Sequence, residues 1–228
     1  MNDMTNENQE DISCSGDAPA QRPGQLVEPD PTLIHRLIEV IEQDIIPLTR
    51  EGVQSGNKIF GAAMLKKSDL STILAATNNE TENPLWHGEI HAMKSYYDMV
   101  NADESKRVDP KDKIFLSTHE PCTLCSSAIA WGGYDNYYYL FSHEDSRDAF
   151  SIGHDLNILK QVFKQEPGGY ARQNDYWSAY SVVDLVENCQ GAVRQGFVDR
   201  MDRIRAIYDE LSDVYQARKG EAKNIPLK

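Results

Sequence analysis

The chain has 228 residues, enough for one or two domains with a full core. Its 36 acidic against 23 basic side chains give a net charge of −13, which repels a polyphosphate backbone and disfavours nucleic acid as a partner. No apolar run approaches the roughly 18 residues of a membrane span, no basic and apolar leader pattern opens the chain, and four cysteines are too few for a disulfide framework. These features predict a protein without membrane contact, in a reducing cytoplasm.

Residues 1–29 hold six acidic side chains, one Arg and no aromatic residue, so they offer too little apolar surface to offset ordering and are expected to form a disordered acidic tail. Asp30-Pro31 suits a helix start, and Leu33, Ile34, Leu37, Ile38, Ile41 and Ile45 continue at helical spacing to Pro47, which closes the helix or lies just past its end. Lys58 to Leu65 and Ser71 to Ala76 read as a hairpin turning near Ser68-Asp69. A loop over Asn78 to Pro84 leads to a second helix, His87 to Val100. Lys113 to Thr118 predicts a third strand, broken at Glu120-Pro121, with a third helix over Cys122 to Trp131. Asn136 to Phe141 predicts a fourth strand, and Leu156, Ile158, Leu159, Val162 and Phe163 a helix after it. Apolar residues from Tyr176 to Val186, and again from Phe197 to Val214, predict two more helices. The alternation predicts a three-layer α/β/α sandwich around a central mixed sheet, over residues 30–165, with a C-terminal helical extension over 166–228 packed on it. The heptad-like stretch Phe197 to Tyr215 offers a packing face, or a surface for a homodimer.

Two short segments carry the chemistry. His87-Gly88-Glu89 opens the second helix, and Pro121-Cys122-Thr123-Leu124-Cys125 opens the third. One imidazole and two thiolates make a three-ligand zinc site whose fourth position is open, as catalysis requires. A helix N-terminus favours each deprotonated thiol. Glu89, two residues from His87, is placed for general acid and base work beside such a metal.

This pair of motifs, H-x-E with P-C-x-x-C, resembles the cytidine deaminase-like superfamily of zinc nucleobase deaminases. The resemblance covers about residues 30–165 and includes Phe60-Gly61-Ala62, Asn78 or Asn79, His87-Gly88-Glu89-Ile90 and Glu120-Pro121-Cys122 through Ala128-Ile129-Ala130-Trp131. It implies that His87, Cys122 and Cys125 hold Zn2+, that Glu89 shuttles protons, and that Asn78 or Asn79 contacts substrate. His87-Gly88-Glu89-Ile90 is similar to fungal cytosine deaminases, whereas Ala128-Ile129-Ala130-Trp131 is more similar to guanine deaminases, so the two motifs point to different bases. The function implied is hydrolytic deamination of a small nucleobase or nucleoside with release of ammonia.

Other readings of the same residues stand beside this one. His91 lies four residues after His87, so Cys122, Cys125, His87 and His91 could close a structural zinc site in a non-catalytic interaction domain. The same chemistry could serve a base in RNA or single-stranded DNA, given a local basic groove. Trp86 and Trp131 flank the motifs and could stack on a flat base, or could be core. Asp148, His154 and Asp155 fall where relatives close their pockets, or are turn residues and helix caps.

Overall fold

The computed structural model describes residues 30–166 and 168–228; the tail expected over 1–29 lies outside the described residues. Asp30 accepts a hydrogen bond from Thr32 N at 2.9 Å and Pro31 sits in the first turn, which starts α1 (Pro31–Val40). The helix does not close at Pro47. It passes through one π-helical turn, Ile41–Ile45, into α2 (Ile46–Gln54). That wide turn is closed by Ile46 N on Ile41 O and shifts the register so that Pro47 falls in the first turn of α2. There its missing N–H is not needed.

The strands β1 (Gly61–Lys66) and β2 (Thr72–Thr77) form the expected antiparallel hairpin. After them α3 (Gly88–Ala102), β3 (Lys113–His119), α4 (Thr123–Trp131) and β4 (Asn136–Phe141) fall close to their predicted positions. The short helix α5 (His143–Asp148), opened by a capping box between Ser142 and Asp145, was not foreseen, and α6 (His154–Gln161) takes the place of the helix expected around Leu156. Tyr176 to Val186 is not one helix. It divides into β5 (Ser178–Ser181) and α7 (Val182–Glu187), with the Ser181 hydroxyl accepting from Asp184 N at 3.2 Å to start the helix. A short apolar run does not by itself distinguish strand from helix. The chain closes with the long α8 (Gly191–Arg218).

The five strands lie in the order β2-β1-β3-β4-β5. β1 is antiparallel to both β2 and β3, whereas β3, β4 and β5 run parallel, so the sheet is mixed. The segment expected as a helical extension therefore also supplies an edge strand. Alternation along the strands divides the core in two. Ala63, Leu65, Ile114, Leu116, Tyr138 and Leu140 face α1, α2, α7 and α8. Ala62, Met64, Phe115, Tyr137 and Tyr139 face the other way, onto Ala92, Met93, Tyr96 and Val100 of α3 and Ile129 of α4. Both faces are covered, which makes three layers.

Candidate active site

In an open sheet with parallel strands, the crevice beyond their carboxyl ends is where loops and helix starts converge. β3 ends at His119, and the extended Cys122 is the N-cap of α4, which sets Cys125 in its first turn. α3 opens in the same manner, with extended His87 as N-cap and Glu89 in its first turn. The two helix starts meet: His87 Nδ1 lies 3.4 Å from Cys122 Sγ and 3.7 Å from Cys125 Sγ. All three donor atoms fall within 4.8 Å of one another. Zinc bonds sulfur at about 2.3 Å and imidazole nitrogen at about 2.0 Å in tetrahedral geometry, so three donors at these separations fit one ion. Among the described residues no fourth side chain completes the group. His91 is turned away, its Nδ1 2.8 Å from Thr77 O and its ring stacked on Trp86.

The electrostatics suit a cation. The hydrogen bond from Cys125, and that from His87, hold the Cys122 thiol well below its ordinary range in spite of burial. Burial, with the neighbouring Cys122 thiolate, pushes Cys125 well up. The two sulfurs thus keep one proton between them, and a metal would displace it. Glu89 is 4% exposed and accepts a 2.9 Å hydrogen bond from Ser117 Oγ. Its pKa is raised, first by burial and then by the Cys122 thiolate, which favours a group that takes up and returns a proton.

His87, Glu89, Cys122 and Cys125 line one cleft with Phe60, His119, Glu120 and Asp155. Its free volume is about 20 Å³, close to that of a single water. Burial raises Asp155 to about 6, and the Cys122 thiolate adds to the shift. Glu120 is fixed from outside by His143, whose backbone N donates to it at 3.2 Å, and faces Arg172 Nε at 3.9 Å.

The expected substrate contacts fare differently. Asn78 is buried beside the cleft with both polar groups engaged: Oδ1 accepts from Gly88 N at 2.5 Å and Nδ2 donates to Glu80 Oε2 at 2.8 Å. Trp86 lies on the loop before α3, half-buried against His91 and beneath Lys94, and does not line the cleft. Trp131 is 92% exposed at the far end of α4 and is not brought to the site. Asp155 is brought there by the start of α6, and the sequence signal for it was only its place after the fourth strand. Glu80 and Lys58, buried behind His87, gave no local signal at all.

One helix start that stabilises two thiolate ligands, met by a second that brings an imidazole and a carboxylate, is the device of hydrolytic deaminases of the cytidine deaminase-like superfamily. Residues 42–141 of this chain match the model of the cytidine and deoxycytidylate deaminase zinc-binding region. The chain is 30% identical over 107 residues to guanine deaminase of Bacillus subtilis (strain 168), a match covering 46% of this chain and 64%, just under two thirds, of that protein. Among solved structures, the Bacillus subtilis guanine deaminase is similar with a TM-score of 0.44 at 24% identity, over 60% of this chain and 80% of that one. A guanine deaminase from Nitrosomonas europaea has a TM-score of 0.44 at 16% identity, over 82% of this chain and all of that one. For the dCMP deaminase of the cyanophage S-TIM5 the values are 0.36 and 19%, over 67% and 98%.

Proposed function

We propose that this protein is a zinc-dependent hydrolytic deaminase of a small nucleobase or nucleoside. The observation that carries the reading is the buried Glu89 carboxylate in the same cleft as the His87, Cys122 and Cys125 donor set. Bound there, zinc would lower the pKa of water to about 7 and so supply a nucleophilic oxygen at neutral pH. Glu89 accepts the proton released from water and delivers it to a ring nitrogen, then takes the remaining proton from the added hydroxyl and passes it to the amine as the carbon–nitrogen bond breaks. The oxygen of water ends as the new carbonyl and ammonia leaves. Ser117 holds the Glu89 carboxylate toward the cleft during these transfers. Asp155, across the cleft, is placed to accept hydrogen bonds from ring or amino N–H groups once ionised.

A small substrate is supported by the narrow cleft and by the nearby cation Arg172, whose side chain is shared between Glu120 and Asp184. The guanine deaminase relative makes a free purine base the first compound to try. The decisive experiment incubates zinc-loaded protein with guanine, adenine, cytosine, cytidine and the purine nucleosides and measures ammonia. Saturable release from one of them, nearly indifferent to salt between about 50 and 200 mM, is expected. Turnover restricted to single-stranded nucleic acid, and collapsing across that salt range, would overturn the reading.

A further inference from the structure

Behind the His87 ring, on the side away from the sulfurs, lies a buried ion pair that the reaction as written does not use. Lys58 Nζ contacts Glu80 Oε1 at 2.6 Å, and the two side chains are 7% and 1% exposed. The same Glu80 Oε1 is 3.9 Å from His87 Nε2. Its other oxygen accepts from Asn78 Nδ2 at 2.8 Å and from Lys58 N at 3.4 Å. Asn78 in turn holds the first amide of α3 through Gly88 N. One carboxylate therefore faces the imidazole from behind and reaches the first amide of α3 through Asn78.

A buried carboxylate is costly unless paired and hydrogen-bonded. Lys58 provides the pairing, and Asn78 and the Lys58 backbone the hydrogen bonds. The direction of the imidazole makes the arrangement more than a structural clamp. His87 presents Nδ1 to the sulfurs, so Nε2 must carry the hydrogen if Nδ1 is to offer its lone pair to a metal. A carboxylate facing Nε2 favours that tautomer and that ring orientation. Lys58, on the same oxygen, pins Glu80 in place at 2.6 Å.

We propose that Glu80, held by Lys58, is a positioning residue that sets the tautomer and orientation of His87 for the metal and, through Asn78, the place of Glu89 at the start of α3. The inference rests on the reading of His87, Cys122 and Cys125 as metal ligands, and its test reads the metal rather than turnover. Zinc affinity is measured by chelator competition, and the absorption bands of the Co2+-substituted protein are recorded, for wild type, Glu80→Gln and the double variant Lys58→Met/Glu80→Gln. Replacing both members of a buried pair by neutral side chains is often neutral for stability, so the double variant separates folding from positioning. Glu80→Gln keeps the shape and one acceptor if the double variant is unstable. Loss of an outer partner of a ligating histidine typically costs about 10- to 100-fold in metal affinity. That loss is expected in both variants, with shifted cobalt bands and, in the double variant, a melting temperature near that of wild type. Zinc affinity within threefold of wild type and unchanged cobalt bands, in a folded variant, would overturn the proposal. If wild type itself retained no zinc, the ligand assignment would fail first and this inference with it.

Discussion

At the scale of single residues, Glu89 and Asp155 face one cleft with different duties. Glu89 bonds Ser117 and is not one of the three grouped metal donors, so Glu89→Gln is expected to leave zinc bound at one per chain while turnover falls by about 10,000-fold, the upper end for general acid and base groups. Activity within threefold of wild type, measured with metal content on the same sample, would contradict this. Asp155 has a folded pKa of about 6 against 3.8 for the free side chain, so the folded state binds its proton more tightly than the unfolded chain. Its contribution to stability is therefore full below pH 3.8 and is lost as pH rises toward 6. Asp155→Asn removes that loss. The variant is expected to melt at the same temperature as wild type at about pH 3.5 and higher at pH 7, where it is more stable by about 3 kcal/mol, while binding substrate less well. Thermal melts across pH check the sign. The metal donors and Glu89 were legible because each motif sits at a helix start with fixed spacing. Asp155 and Glu80 were not, because a lone carboxylate gains its meaning only from what tertiary structure sets beside it.

At the scale of elements, the site depends on how closely α3 approaches β1. A Cβ on Gly88 would lie 2.8 Å from Gly61 Cα and 3.0 Å from Gly61 N, backbone atoms that cannot rotate aside. Gly88→Ala is thus expected to push the start of α3 away from the sheet, taking His87 and Glu89 with it. Overpacking of this kind costs about 1 to 3 kcal/mol, and a lowered melting temperature together with weakened zinc retention in dialysis would show it; full retention would refute it. α4 illustrates the opposite limit. Its nine residues span about 13 Å, which carries Trp131 from the cysteine end out to solvent, although the sequence places it beside a motif. The periodic helices and the strands from Lys66 back to Gly61 and from Asn136 to Phe141 were readable because their apolar spacing has one solution. Pro47 misled because a π turn can absorb it, and Tyr176 to Val186 because β5 exists only when β4 is there to pair with it.

At the scale of the whole molecule, the sheet separates two cores, and the C-terminal third of the chain joins α1 and α2 in building one of them. Val182, Leu185 and Val186 of α7 and Phe197, Ile204, Tyr208, Leu211 and Tyr215 of α8 are buried on the face opposite α3. Tyr208 reaches the His119 ring, 5.4 Å between centroids, so α8 supports the floor of the cleft. A chain ending at Glu166 would leave part of that face and the β4 edge uncovered, and is expected to lose cooperative thermal unfolding and near-ultraviolet circular dichroism. A sharp transition like that of the full chain would show that residues 30–166 fold alone. The cleft itself has a consequence in time. A space of about 20 Å³ admits water but no aromatic ring, so on the proposed reading the walls part once to let a base in and again to let it out. Such motions commonly take microseconds to milliseconds. On the proposed reading, the frequency of those partings is an upper bound on turnover, whatever the speed of proton transfer at Glu89.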